Sequence, residues 1–259
     1  MTRAALKGRI QTVLGPIEPA KLGRTLMHEH VLCDIRPPAT RGDNDLGPEI
    51  TLENVWQINH GHGIKRAGRK YMLDLEDVAT REIRMMKHDG GDAIVELTCG
   101  GLSPDPKGLQ RIAAGTGVHL IMGCGYYVDD YQDPKNQSRT VEDFAAEMSG
   151  QILDGAWGTD VRAGMIGEIG CSAPWTDTEK RVMQAALIAA AETGAAINVH
   201  PGRDPDQPQQ VADFIGAAGH STERVVISHI DRTIFDEERL LRLADSGVTV
   251  EFDLFGQEA

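Results

Sequence analysis

Two histidines one residue apart, His28 and His30 in the stretch TLMHEHVLCD, have a spacing suited to binding a metal ion. Residues i and i+2 of a β-strand project from the same face, so a strand here would direct both imidazoles to one point while Glu29 faces away. Imidazole nitrogens are common zinc ligands. Taken alone, the pair fits equally well with two buried histidines that hydrogen-bond to neighbouring backbone.

A second pair with the same spacing, His60 and His62, lies among glycines and basic residues in NHGHGIKRAGRK. No apolar run flanks this pair, so a loop is predicted there. Spacing alone therefore does not indicate a site, and the neighbouring apolar run matters as much.

Three more polar side chains stand at the ends of apolar runs. Glu168 ends GMIGEI, His200 ends AINVH and His229 ends RVVISH. A buried glutamate is usually paired or bound to a cation. A salt bridge to an arginine would explain Glu168 in isolation, but one glutamate and four histidines at strand ends together favour a metal site.

The composition indicates one acidic α/β domain over residues 1–259. The chain is 41% hydrophobic, and no repeat or low-complexity linker divides it. Its formal net charge of −13 argues against a nucleic-acid or anionic-membrane partner. Without an apolar leader or a long apolar run, the expected location is cytoplasmic. The scattered cysteines, without CxxC spacing, are predicted to be reduced thiols.

Seven short apolar runs are predicted to be strands, after an N-terminal β-hairpin in RIQTVLGPIEP. They cover residues 25–32, 93–98, 118–123, 164–169, 196–200, 224–229 and 247–253. Amphipathic stretches between them, several opening on Thr or Asp and closing on Gly, are predicted to be helices. This alternation is typical of an open doubly wound sheet or a TIM (β/α)8-type barrel. The polar strand ends favour the barrel, because active sites of that fold lie where the strand ends converge.

The ligand types indicate the chemistry. Imidazoles with a carboxylate suit zinc and neighbouring first-row divalent ions such as Mn or Co, whereas calcium and magnesium prefer oxygen ligands. Five side chains exceed the three that one open catalytic zinc usually keeps, so two divalent ions bridged by Glu168 are expected. A hydroxide held between them would attack a carbonyl or phosphoryl centre, so the predicted reaction is hydrolysis.

The stretch TVLGPIEPAKLGRTLMHEH, followed by GEIGCS, VHPGR and SHIDRT, resembles the phosphotriesterase family of the amidohydrolase superfamily, and most closely its phosphotriesterase-related branch. The resemblance implies that His28 and His30 bind the more buried ion, and that His200 and His229 bind the more exposed one. Many relatives bridge the ions with a carbamylated lysine, but Glu168 stands there in this sequence, as in that branch. For that branch the resemblance also implies small N-acyl compounds, such as N-acetyltaurine, as one substrate class.

The family's last metal ligand and proton shuttle is an aspartate at the end of an eighth strand, and no residue here matches it. The sequence stops at EFDLFGQEA, where Asp253 could line the mouth of the barrel but is not assigned that role. We therefore expect a barrel lacking its eighth βα unit, a C-terminally incomplete version of a longer enzyme of about 320 to 350 residues. Its exposed strand edges would allow two chains to pair as a homodimer.

Three further residues are candidates for binding a small-molecule substrate. Arg203 and Arg232 follow two of the predicted ligands and could hold an anionic group by a bidentate contact. A surface position, or a structural pair with Asp231, explains them equally well. Tyr127 follows the third strand of the predicted sheet and could form a wall of the pocket.

Two functions are left open by the sequence. The first is a binuclear metal hydrolase acting on a small ester, lactone, phosphoester or N-acyl amide. The second is a catalytically impaired metal-binding fragment of a longer phosphotriesterase-like enzyme. Metal content measured together with turnover would separate the two.

Overall fold

The chain forms a curled sheet of parallel strands joined mainly by helices. The structure is a computed structural model that describes residues 2–42, 46–59 and 68–255. The strands in these residues are β1 (Ile10–Thr12), β2 (Gly15–Ile17), β3 (Thr25–Glu29), β4 (Cys33–Asp34), β5 (Met72–Leu73), β6 (Ala93–Glu96), β7 (His119–Cys124), β8 (Met165–Gly170), β9 (Ile197–His200), β10 (Val225–Ile227) and β11 (Thr249–Val250).

Seven of these strands form one sheet in the order β11–β10–β9–β8–β7–β6–β3, and all of its neighbouring pairs are parallel. Neighbours in this sheet follow one another along the chain, as in a TIM-type barrel. The sheet curls so far that His28 on β3 lies 3.1 Å from Ser228, which directly follows β10 near the opposite edge. The predicted barrel and its seven strands are confirmed. The strands are mostly shorter than predicted, and the described residues contain no eighth parallel strand.

Helices cover the outside of the sheet. They are α1 (Arg3–Leu6), α2 (Val55–Asn59), α3 (Glu76–His88), α4 (Pro106–Thr116), α5 (Val141–Leu153), α6 (Asp177–Thr193), α7 (Gln207–Ala217) and α8 (Glu237–Asp245). The helix signals in the sequence act as expected: Thr176 and Glu179 form a capping box that begins α6, and Gly194 ends that helix with a φ of 82°. None of the helices in the described ranges is long and apolar enough to cross a lipid bilayer.

The predicted N-terminal hairpin is confirmed as the antiparallel pair β1–β2. A second antiparallel pair, β4–β5, brings together the two ends of the long connection between β3 and α3. Asp34 donates a backbone hydrogen bond to Leu102, so this connection lies against the loop that follows β6. The histidine pair His60 and His62 lies outside the described residues.

The central strands are buried on both faces, which explains why they read as continuous apolar runs. Every residue of β6 and of β8 is buried. Inside the barrel, Val95, Leu97 and Ile121 form a small cluster, and a larger core fills the space between sheet and helices. The four cysteines are free and buried, as predicted.

Candidate metal centre

The five predicted ligands converge at one end of the barrel. His28 belongs to β3 and His30 directly follows it, Glu168 belongs to β8, and His200 is the last residue of β9. His229 lies two residues beyond β10, with a φ of 58° that is uncommon for a residue other than glycine. All five thus stand at the carboxyl ends of parallel strands, where the sequence placed them.

Glu168 stands at the middle of the cluster, with its side chain only 2% exposed. Its Oε2 lies 2.7 Å from His200 Nδ1, 3.3 Å from His28 Nε2 and 3.5 Å from His229 Nε2. Its Oε1 lies 3.3 Å from His30 Nε2. The two carboxylate oxygens therefore face different histidines, as a bridge between two cations requires.

Burial alone would raise the pKa of Glu168, but the surrounding His200, His229 and His28 hold it well below its usual range. The carboxylate is therefore ionised at neutral pH. Burial alone would lower the pKa of His28, whereas the neighbouring carboxylates of Asp253, Glu168 and Glu251 raise it to about 12. The pKa of His229 is also raised, by hydrogen bonds with Asp253 and Glu168 that outweigh burial, whereas burial lowers the pKa of His200. Without cations, the carboxylates in this cluster thus hold protons on His28 and His229.

Asp253 joins the cluster although the sequence did not assign it a role. Its Oδ1 lies 2.8 Å from His229 Nδ1, and its Oδ2 lies 3.1 Å from His28 Nδ1. The pKa of this carboxyl is lowered, against the effect of burial, by hydrogen bonds with those two histidines. Glu251 and Asp253 have the same i, i+2 spacing as the first histidine pair, and this spacing after the last strand was the available signal.

Divalent cations fit the donors of this cluster. Three groups of side chains have donor atoms within 4.8 Å of one another: His28, His30 and Glu168; Glu168, His200 and His229; and His28, His229 and Asp253. The first two groups share Glu168, in agreement with the expected bridge. His28 Nε2 is buried and has no hydrogen-bond partner among the described residues. Such an atom is costly to bury unless a ligand binds it.

His200 faces the outer side of the cluster through its other ring nitrogen. Its Nε2 lies 3.2 Å from the Tyr127 hydroxyl and 3.0 Å from Arg232 Nη2. Arg232 also donates to the carbonyl of Pro201 at 3.4 Å, and its buried Nε has no hydrogen-bond partner among the described residues. A guanidinium whose neighbours here are a ring nitrogen and a carbonyl retains donors for an anionic ligand.

The remaining candidate, Arg203, forms no hydrogen bond with the histidines among the described residues. Arg203 is exposed, although its charge is near enough to lower the pKa of the half-buried Arg232, together with the larger effect of burial. Tyr126, beside Tyr127, is a core residue whose hydroxyl donates to Glu147 at 2.9 Å. Gly170 allows the loop of Tyr127 to approach β8, because a Cβ at this position would lie 2.1 Å from Val128 N.

A groove of about 330 Å³ also adjoins the cluster at one end. It is lined by Leu26, Ile83, Met86 and Ile94, and also by His30. Ile83 and Ile94 belong to the core between sheet and helices, so the groove lies on the helix side of β3. It is therefore not the mouth of the barrel on which the five predicted ligands converge.

Comparison with known proteins decides the family. The sequence profile described as the phosphotriesterase family matches residues 8–259. The chain belongs to the phosphotriesterase family. Among curated relatives, N-acetyltaurine hydrolase from Xenopus tropicalis is 41% identical over 260 residues, 98% of this chain and 74% of the relative. The human enzyme of that name is 39% identical over 259 residues, with the same shares.

Solved structures agree with this family. A resiniferatoxin-binding protein from Rhodobacter sphaeroides has a TM-score of 0.86 and 35% identity, covering 96% of this chain and 70% of its own. A lactonase from Listeria monocytogenes has a TM-score of 0.79 and 20% identity, covering 96% of this chain and 73% of its own, and shows the common fold. This phosphotriesterase-family chain is a hydrolase with candidate metal-binding clusters at the mouth of its barrel.

Proposed function

We propose that this chain is a binuclear metal hydrolase that cleaves small N-acyl amides bearing an anionic group, with related esters and lactones as further substrates. The observation that carries the proposal is the convergence of four imidazoles on Glu168, at 2.7 to 3.5 Å. The similarity to N-acetyltaurine hydrolases over 98% of this chain supports the substrate class.

His28, His30 and Glu168 would hold one ion, and Glu168, His200 and His229 the other. Their nitrogen and carboxylate donors suit zinc, with manganese or cobalt as alternatives. When bound, the pair of ions would supply activation of water and polarisation of the acyl carbonyl. Glu168 has the central role because one of its oxygens faces His30, the other faces the remaining three histidines, and its charge offsets part of the charge of both ions.

Arg232 and Tyr127 would orient the substrate above His200. Both carry hydrogen-bond donors within 3.2 Å of His200 Nε2, so a substrate that reaches the metal centre passes beside them. A sulfonate or carboxylate accepts two parallel hydrogen bonds from a guanidinium, which fixes its direction as well as its position. Arg203, exposed at the same edge, would add a longer-range attraction for the same group.

The test uses protein stripped of metal and reloaded with zinc, assayed on N-acetyltaurine and on N-acetylethanolamine, which has a hydroxyl in place of the sulfonate. We expect hydrolysis to require the metal. Arg232→Met should raise the KM for N-acetyltaurine about ten- to a hundredfold, since a charge-assisted contact contributes about 1.5–3 kcal/mol. The KM for N-acetylethanolamine should change little.

Arg203→Met serves as the matched control and should have a smaller effect, because that side chain is exposed and its charge is screened. Equal effects of Arg232→Met on both substrates would show that this residue has only a structural role. Zinc binding without turnover of amides, esters or lactones would instead support the second function left open by the sequence, that of a catalytically impaired metal-binding chain.

A further inference from the structure

The Nδ1 atom of each histidine of the first pair lies within hydrogen-bond distance of a buried hydroxyl. His28 Nδ1 lies 3.1 Å from Ser228 Oγ, and His30 Nδ1 lies 3.0 Å from Thr98 Oγ1. Both hydroxyl residues have no exposed surface. The other nitrogen of each ring, Nε2, lies 3.3 Å from an oxygen of Glu168. The two imidazoles are thus held in the same way although their hydroxyls follow different strands, β6 and β10.

Behind each hydroxyl stands a buried carboxylate. Ser228 Oγ lies 2.7 Å from Glu251 Oε2, and Glu251 is 8% exposed. Glu96, which has no exposed surface, lies beside the side chain and the backbone of Thr98, and both lower its pKa against the larger effect of burial. Glu96 Oε1 also accepts a hydrogen bond from the backbone of Val31, 3.2 Å away, so the second carboxylate is anchored beside its histidine.

The direction of these hydrogen bonds follows from counting protons. A hydroxyl has one proton to donate, and an ionised carboxylate can only accept. Burial raises the pKa of Glu96 to about 7, so above that pH the carboxylate is ionised and attracts the proton of Thr98, and a lone pair of the hydroxyl faces His30 Nδ1. For Ser228 the acceptors are Glu251 Oε2 and Asn198 Oδ1, the latter at 2.8 Å. Either acceptor takes the serine proton, so a lone pair again faces the ring.

A hydroxyl lone pair that faces Nδ1 forms a hydrogen bond only when Nδ1 carries a proton and donates it. Asp253 Oδ2 at 3.1 Å and Glu251 Oε2 at 3.5 Å from His28 Nδ1 are also acceptors, so they favour the same arrangement. When a cation is bound, Nε2 is then the nitrogen with the free electron pair. In zinc sites, such outer partners fix the tautomer and orientation of the ligand histidine.

We propose that Thr98 and Ser228 are positioning residues that hold His30 and His28 in the Nδ1–H tautomer and present both Nε2 atoms to a divalent cation, with Glu96 and Glu251 orienting the two hydroxyls. The inference rests on the proposed metal centre for its consequence, which is tighter binding of the ion. It assigns a role to four residues that neither bind the ion nor touch the substrate.

The test compares Thr98→Val, which replaces the hydroxyl by a methyl group of similar size, with Thr98→Ser, which keeps the hydroxyl. Zinc affinity is measured by competition with a chromophoric chelator. We expect Thr98→Val to bind zinc about ten- to a hundredfold more weakly, the usual loss for an outer partner of a ligand histidine, and Thr98→Ser to bind nearly as the wild type does. Ser228→Ala should show a loss similar to that of Thr98→Val.

Ser149→Ala is the matched control, because Ser149 is also a buried serine bonded to a carboxylate, Glu192 at 2.6 Å, but lies on α5. Its zinc affinity should be unchanged. In zinc-loaded protein with ¹⁵N-labelled histidine, Thr98→Val should shift or remove the Nδ1–H signal of His30 and leave that of His28 in place. Ser228→Ala should do the reverse.

Two results would overturn the inference. Unchanged zinc affinity in Thr98→Val and Ser228→Ala would show that the hydroxyls do not position the ligands. Equal losses in Thr98→Val and Thr98→Ser would assign the effect to packing. A wild-type protein that binds no zinc, manganese or cobalt would instead refute the proposed metal centre itself, so the two failures are distinguishable.

Discussion

Replacing Glu168 by glutamine removes the negative charge at the centre of the histidine cluster while keeping the size of the side chain. Each of His28 Nε2 and His30 Nε2 lies 3.3 Å from an oxygen of Glu168. An ion bound by both the nitrogen and the oxygen of such a pair would lie less than 3.3 Å from the oxygen. At this distance, the attraction between one negative charge and a divalent ion is about 2.5 kcal/mol even with the screening of bulk water.

This energy corresponds to roughly 70-fold in affinity, and it is a lower bound because a site that is 2% exposed is screened less than bulk water. We therefore expect Glu168→Gln to weaken zinc binding by at least that factor and to lower the metal content from the proposed two ions per chain to one or none. Elemental analysis of purified protein and chelator competition measure the two effects.

Glu179→Gln provides a matched control for the loss of a buried carboxylate. Glu179 has no exposed surface, but it accepts hydrogen bonds from Asp129, Ser172 and Thr176 and not from the histidine cluster. It should lower the thermal stability and leave the metal content unchanged. If Glu168→Gln keeps two ions with wild-type affinity, Glu168 does not bridge them and the assignment of the centre is wrong.

Two further predictions concern protons and packing. Zinc binding at pH 8 should release about one or more protons per chain. In the metal-free protein, Asp253, Glu168 and Glu251 raise the pKa of His28 to about 12 despite burial, so His28 carries a proton that the ion must displace. The affinity for zinc should accordingly rise with pH. Calorimetry in buffers of different ionisation enthalpy measures the number of protons released, and a value of zero would contradict the prediction. Phe144→Ala should lower the free energy of unfolding by about 3–5 kcal/mol in urea, because the removed ring is fully buried and packs against Tyr126 at 5.2 Å. A loss below about 1 kcal/mol would mean that the core repacks around the gap.

Much of the barrel and the convergence of the five predicted ligands could be predicted because each depends on local sequence. The i, i+2 spacing of His28 and His30 orients both rings whatever the rest of the fold does. Glu168, His200 and His229 each follow an apolar run, and parallel strands bring such ends together. Strand ends were less predictable, since the last strand is limited to Thr249–Val250.

The two arginines show what local sequence could not decide. Arg203 and Arg232 both follow a predicted ligand within three residues, so they had equal standing in the sequence. The short 3-10 helix Ile230–Arg232 begins directly after His229 and turns Arg232 back toward His200. Arg203 follows Pro201 and Gly202 in a stretch without regular structure and remains exposed.

The hydroxyl residues that contact the first histidine pair could not be predicted from any local pattern. Ser228 is 200 positions from His28 in the sequence, and Thr98 is 68 positions from His30. The two histidines also depend on different parts of the barrel. Glu96 is the last residue of β6 and Thr98 lies two residues beyond it. Because β6 is the immediate neighbour of β3, the support of His30 needs only one strand pairing. Ser228 and Glu251 follow β10 and β11, so the support of His28 exists only when the whole sheet has curled. The more buried half of the proposed metal centre therefore depends on closure of the barrel as well as on its own ligands.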